Sequence, residues 1–504
     1  MKTKLFTNYL RCEQHCFRAY QFPSVVIFFF LFIFLTMSCS QSDIEPINVA
    51  DSLTAAKLAN GSYISWKEHI IDDEEASGIP LRGADGLKMA DLDKDGHPDV
   101  VSVHEDSFHV RIAYGTGNPE QWVLQTLAEG TEVQGAEDVS IGDLNRDGYP
   151  DIIVACEREH LIYFQNPGDP VRESRWERVI PKITTNRGSF IRVFFADINA
   201  DGNLEVVATN KGTGPAESIS SKPPKREISW FETGTNPLDG DSWKEHVLKR
   251  LVWPINSQPV DLDGDGDIDV VGGSMPQGEW RIFWFENLGK EKLSFREHAI
   301  EIALPSAPQT IIDPHVTGFN MAYCDLNDDG RLDILLSAYG TPYEALGSDL
   351  VWIEQPCKPY NPWILHSVGT IAPDQIAGIT VADVNGDSSP DVIVGSYSRG
   401  PRLEDGEEVT ASDRVGHIAW FANPGKENQD WICHNIVRRK RGMFDAFVAR
   451  DMDGDGDMDC VATRGNSGNY DGVFWLEQVH TSSQVKVFQP ARVKESMNLT
   501  LPPN

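Results

Sequence analysis

Seven times along this chain one acidic turn recurs, Asp-x-[Asp/Asn]-x-Asp-[Gly/Ser]-x-x-[Asp/Glu], followed by a short apolar run such as Asp99-Val100-Val101. The turns begin at Asp91, Asp143, Asp197, Asp261, Asp325, Asp383 and Asp451, spaced by 52, 54, 64, 64, 58 and 68 residues. A unit recurring at such a period marks an array of small supersecondary elements, each stacked on the next.

Positions one, three, five and nine of the turn always carry oxygen. They are Asp91, Asp93, Asp95 and Asp99 in the first copy and Asp143, Asn145, Asp147 and Asp151 in the second. The third has Asp197, Asn199, Asp201 and Glu205, and the fourth Asp261, Asp263, Asp265 and Asp269. The fifth has Asp325, Asn327, Asp329 and Asp333, and the sixth Asp383, Asn385, Asp387 and Asp391. The seventh has Asp451, Asp453, Asp455 and Asp459.

Alternate residues of a tight loop can aim their carboxylates at one point, and glycine at position six permits the sharp turn. Hard oxygen donors without His or Cys favour Ca²⁺ over zinc or copper. The expectation is up to seven structural calcium ions, against the alternative of an Asp/Gly turn that binds nothing. It is not an EF-hand: position twelve is Ser102 in the first copy, and a β-run follows. Ser388 replaces glycine in the sixth copy, and Glu205 changes the reach of the third.

The net charge of −32 over 504 residues excludes a basic face for nucleic acid. The cysteines left after removal of a leader show no C-x-x-C pairing and no metal spacing.

Lys2, Lys4, Arg11 and Arg18 precede an apolar run from Val25 to Leu35, which fits a signal h-region and is short for a membrane span. Leu35-Thr36-Met37-Ser38-Cys39 resembles a bacterial lipobox, which implies export, acylation of Cys39 and anchoring to the outer membrane through lipid alone. Residues 1–38 are then leader, 39–61 a tether, 62–478 the repeat domain and 479–504 a peripheral extension.

Each repeat offers four strand signals. One precedes the acidic turn (Val139-Ser140-Ile141), and the Val/Ile run follows it. Next comes an aromatic strand such as Phe283-Trp284-Phe285, then an aromatic-led run such as Trp243-Lys244. Four-stranded units repeated radially are propeller blades. The fourth signal is missing after the last aromatic strand but stands before the first turn, as Trp66-Lys67-Glu68-His69-Ile70-Ile71. The fold expected is all-β, a seven-bladed β-propeller of four-stranded antiparallel blades, closed by the N-terminal strand completing the last blade. His69, His246, His298, His366 and His434 share one outer-strand position and read as scaffold.

The D-x-D-x-D-G-x-x-D-V-V turns with Trp-Phe-Glu-Asn and Trp-Lys-Glu-His strands resemble the FG-GAP/VCBS repeat family over about residues 62–478. That resemblance implies calcium in the loops joining the first and second strands of each blade. The blades are also similar to the propeller of aldos-2-ulose dehydratases, and some ulvan lyases are seven-bladed. No catalytic motif of either matches residue by residue, and the cupin domains of the dehydratase are missing.

Function is then sought on the opposite rim, among residues the repeat does not explain: His104, His160, His315, Arg158, Arg187, Lys211, Tyr339, Tyr343, Tyr397, Arg399, Arg464 and Tyr470. Asp85, Glu137 and Asp445 fall in the same connections, and Arg187, His315, Glu137 and Asp445 are expected at the central channel. Long segments from Thr209 to Ile228 and from Ser396 to His417 make that rim unequal, as a shaped pocket requires.

Arg and His neutralise carboxylate or sulfate, and Tyr rings pack on sugar faces. The same groups supply a base, a charge stabiliser and an acid for β-elimination from a uronic acid. The candidates for that chemistry are His104, His160, Arg187, His315 and Tyr339, acting on an anionic oligo- or polysaccharide as lyase or dehydratase. The competing reading is a non-catalytic glycan- or protein-binding propeller.

Overall fold

The computed structural model describes residues 47–172, 175–212, 224–274, 282–289, 293–338, 347–398, 409–425, 429–492 and 496–503. Cys39, the leader, Tyr339, Tyr343 and Arg399 lie outside them. The described chain folds into seven mainly antiparallel sheets in sequence order around a ring. The innermost strands are Ala84–Ala90, Ala136–Gly142, Ser189–Ala196, Pro254–Val260, Val316–Cys324, Gln375–Ala382 and Phe447–Arg450.

Every second strand begins on the ninth residue of the acidic turn: Asp99, Asp151, Glu205, Asp269, Asp333, Asp391 and Asp459. These strands are buried on both faces, which is why they read as unbroken apolar runs rather than alternating ones. Side chains on a strand alternate in direction. Ile152 and Val154 of blade two therefore pack with Val101 and Ile112 of blade one. Ile153 and Ala155 pack with Val206 and Phe231 of blade three. The core is thus a set of blade-to-blade layers, and the layer of Ile71, Val461 and Trp475 against Leu87, Val100 and Ala113 joins the last blade to the first. Each fully buried Val or Ile contributes roughly 1.5–3 kcal/mol.

The ring closes through Tyr63–Asp73, which pairs antiparallel with Gly472–Thr481, setting Trp66 opposite Gln478 and His69 opposite Trp475. The outer-strand histidines are scaffold: His69 stacks on Trp475 at 4.3 Å, His246 on Trp230 at 3.9 Å and His366 on Trp352 at 4.3 Å.

Two boundaries move. From Ile47 the presumed tether is folded, with Val49, Ala50 and Ala56 buried and Leu53 bridged to Lys486. The presumed extension is part of the last blade, because Phe488–Gln489 pairs parallel with Trp66–Lys67 as a fifth strand. Leu499 N–H donates to the Arg438 carbonyl at 2.8 Å. Neither segment carries the repeat pattern, so its packing was not legible locally. Blade five also gains an outer hairpin, Ile302–Leu304 with Ala307–Ile312. Among the described residues no helix is long and apolar enough to cross a membrane.

Candidate functional site

The seven acidic turns share a hydrogen-bond plan in outline, with the Oδ1 of position one accepting from the position-four glycine N–H in the fourth and seventh turns. In the first, Asp91 Oδ1 accepts from Asp95 N–H at 3.1 Å and Oδ2 from Gly96 N–H at 3.0 Å, while Asp95 Oδ1 accepts from His97 N–H at 2.8 Å. Both positions four and six are left-handed. Position four is Lys94, Arg146, Ala200, Gly264, Asp328, Gly386 or Gly454. Ser388 holds position six of the sixth turn at φ 72°, and its N–H still donates to Asp383 Oδ2 at 2.9 Å.

The ninth residue points inward. Asp99 Oδ2 accepts from Leu92 N–H at 2.7 Å and Oδ1 from Gly115 N–H at 2.9 Å, pinning the turn to its blade. Burial pushes the carboxyls of Asp99, Glu205, Asp269, Asp333, Asp391 and Asp459 up to about 7.

Carboxylate oxygens of Asp91, Asp93 and Asp99 lie within 4.8 Å of one another, as do those of Asp261, Asp263 and Asp265, and of Asp451, Asp453 and Asp459. An all-oxygen set of this density fits a hard divalent cation. In the first turn Arg172 also reaches the cluster, contacting Asp93 and placing Nη2 2.8 Å from Asp95 Oδ2. In the second, fifth and sixth turns the Asn amide bonds the Asp at position five, as Asn145 Nδ2 does to Asp147 Oδ2 at 2.8 Å.

At the ring axis the fifth residue before each turn, Gly378 excepted, lines the central cavity. Four of these are polar (Asp138, Arg192, Asn256 and Asn320) and three small (Gly86, Gly378 and Ala446). Arg192 Nη2 lies 3.3 Å from Asp445 Oδ2 and donates to Asn320 Oδ1 at 3.2 Å, tying blade three to blades five and seven across the ring. Asn320 Nδ2 donates to Asp445 Oδ1 at 3.1 Å and also to the Ala377 carbonyl. These groups line one end of a cavity of about 560 Å³ that runs along the innermost strands toward Lys88, Val260, Tyr323 and Val381.

Beside this polar floor, at the connections opposite the acidic turns, Asp85, Glu105 and Glu137 bring carboxylate oxygens within 4.8 Å of one another. Burial, reinforced by Glu137 and Glu105, holds Asp85 well above the ordinary carboxylate range. Burial and then Glu105 push Glu137 up to about 8.

The residues singled out for elimination chemistry do not share partners. His104 ends the second strand of blade one with no exposure, its Nε2 3.1 Å from Ser102 Oγ. Burial, then Arg111 and His109, depress it to about 3, so it is a neutral internal imidazole and not a rim base. His160 is also buried, and its Nε2 donates to the Glu132 carbonyl at 2.8 Å. Arg187 was expected at the channel but turns outward over its own blade, 3.0 Å from Glu227 and 2.7 Å from Glu245. His315 is half-buried at φ 49°, immediately before the innermost strand of blade five, and does not line the cavity. Asp445 does line it, and Glu137 stands 3.9 Å from Arg192.

Elsewhere on that side Lys211 pairs with Glu157, Arg158 lies over Phe108, and Arg464 bonds Glu68 and the Tyr470 carbonyl. Tyr397 ends a strand and bridges Met443. Arg192, Asn320 and Glu105 were missed. The signal for the first two was available, since both interrupt apolar strands at one repeat column.

The FG-GAP-like repeat family matches residues 91–154, 143–208 and 261–336. No curated protein matches the chain in sequence. Among solved structures, BBS1N in complex with ARL6DN is similar at 11% identity and TM-score 0.42, covering 83% of this chain and 97% of that one. The Myceliophteria thermophila Cps50 (Swd1) β-propeller domain is similar at 9% identity and TM-score 0.42, covering 81% and 98%.

Proposed function

This chain is a seven-bladed β-propeller of FG-GAP-like repeats, and from that premise we propose an exported, Cys39-lipidated platform that binds an anionic carbohydrate. The ligand meets the rim opposite the acidic turns, and those turns hold structural Ca²⁺. The observation that carries this reading is the asymmetry of that rim. In blade one the second and third strands are joined tightly, from His104 to His109, whereas the same connection runs from Gly212 to Lys225 in blade three and from Tyr397 to Gly416 in blade six. Connections of such unequal length on one rim, around a polar floor, suit a shaped recess for a hydroxyl-rich ligand.

Binding without turnover is favoured over elimination. An elimination needs a base, a charge stabiliser and an acid around one sugar ring. His104, His160 and Arg187 each serve a different internal partner. The second reading, β-elimination, rests on His315, a non-glycine residue held in the left-handed region, where strain accompanies functional positions. The base would take the proton α to the uronate carboxylate as the C–O bond to the leaving oxygen breaks and that oxygen is protonated.

One experiment separates them. The calcium-loaded chain is incubated with polyuronates and sulfated polysaccharides, and both retention and ultraviolet absorbance of an unsaturated product are followed. Retention without absorbance supports the platform. Absorbance that disappears in His315→Ala supports elimination. Neither retention nor product on any anionic glycan removes both.

A further inference from the structure

The sixth residue before each acidic turn is Ile191, Ile255, Phe319 and Ala377 in blades three to six. In the three consecutive blades seven, one and two it is Asp445, Asp85 and Glu137. The repeat therefore does not require an acid at this column; three neighbouring blades depart from its apolar pattern together. Asp445 is answered by Arg192 and Asn320.

Asp85 has no such answer. It is 4% exposed, and its Oδ2 is buried without a hydrogen-bond partner. The charges acting most strongly on it are Glu137, Glu105, Asp445 and Asp106, all acidic. Glu105 is delivered from the turn after the second strand of blade one, its N–H fixed to the Gly83 carbonyl at 2.7 Å. A buried carboxylate oxygen left unpaired is costly, more so when charged, and a cation is a usual compensation.

We propose that Asp85, Glu105 and Glu137 form a divalent-cation site on the rim opposite the seven acidic turns, separate from them in position and in repeat column. Three carboxylates with no nitrogen or sulfur donor select the hard ions Ca²⁺, Mg²⁺ or Mn²⁺. Roughly six to eight oxygens complete such a shell for calcium, so three protein ligands leave positions for water or for a carboxylate or hydroxyl of a bound molecule. The site stands whether or not the rim binds carbohydrate.

The test counts metal. The purified chain, stripped with chelator, is dialysed against Mn²⁺, and ions bound per chain are counted for the wild type, for Glu105→Gln and for Asp85→Asn with Glu137→Gln. The expected result is the loss of one equivalent in both variants with the rest of the isotherm unchanged. Glu105 is half-exposed, so its amide variant folds even where the buried pair does not tolerate change. An equal count in wild type and folded Glu105→Gln overturns the proposal. So does a Mn²⁺-soaked crystal with no anomalous density between these carboxylates.

Discussion

Asn166 of blade two donates its side-chain N–H to the main-chain carbonyl of Leu92 in blade one, 2.9 Å away. Its own main-chain N–H donates to Asp151 Oδ1, the ninth position of its own acidic turn, at 2.8 Å. The same strap recurs as Asn287 to Ile198 at 2.8 Å, Gln355 to Leu262 at 2.7 Å, Asn423 to Leu326 at 3.3 Å and Gln478 to Val384 at 3.0 Å. One amide thus ties a turn to its blade and to the turn of the preceding blade. Loop conformation and blade packing are mechanically linked.

Asn166→Ala leaves the buried Leu92 carbonyl without its partner. The expected loss is about 1–3 kcal/mol of unfolding free energy, the range for an orphaned buried group. Urea denaturation of Asn166→Ala and Gln478→Ala checks it. An unchanged midpoint in both would show that the straps contribute nothing.

Arg438 has no exposure and is held by Asp374 through two contacts of 2.6 and 2.9 Å, with carbonyls of Ala411, Asp413 and Thr500 filling its remaining donors. Burial alone would raise the Asp374 carboxyl, but His417 and Arg438 outweigh it and hold it below its ordinary value. Asp374→Ala strands a buried guanidinium and should cost about 3–5 kcal/mol, whereas Asp374→Leu with Arg438→Met should recover much of that loss. Chemical denaturation of the single and double variants decides.

Ser388 occupies a left-handed position that glycine fills in the other six turns. A side chain there costs about 1–2 kcal/mol, so Ser388→Gly is expected to raise stability by about 1 kcal/mol after the added chain entropy of glycine is subtracted. A lowered melting temperature would contradict this account of the turn.

Burial pushes the ninth-position carboxyls of Asp99, Asp269, Asp333, Asp391 and Asp459 up to about 7, above the value of about 4 for an unfolded chain. Between those values the folded state binds more protons than the unfolded one. Stability of the chelated protein therefore falls as pH rises through that window. Under the proposed calcium occupancy the ion competes with those protons, so its stabilisation should be greatest at high pH and fade as the carboxyls protonate. Melting curves at about pH 5 and about pH 8, with calcium and with chelator, measure this. Identical curves with and without calcium at the higher pH would remove calcium from the turns.

The blade number, the closing strand and the acidic turns were legible because each is a local pattern repeated at a fixed period. Seven unbroken apolar runs after seven acidic turns admit little else, and the count of aromatic-led strands placed Trp66 in the last blade. The rim was legible only in composition. His104 carries a polar side chain at the end of a strand, which suggests a surface, but it has no exposure. Arg438-Arg439-Lys440-Arg441 has the look of a solvated basic run, yet all four are buried, with Arg439 2.8 Å from Glu68 on the N-terminal strand.

The sequence by itself therefore determined what periodicity can encode: strand order, ring size, and which oxygens each turn can present. Tertiary structure decided which charges meet. Asp85, Glu105 and Glu137 come from a strand start, a turn and the next blade, and only the packing of blade two against blade one sets them together. Arg192 finds Asp445 from 253 residues away. The physical reason is that burial and pairing depend on neighbours supplied by other blades, whereas hydrophobic period and turn chemistry are properties of a few adjacent residues.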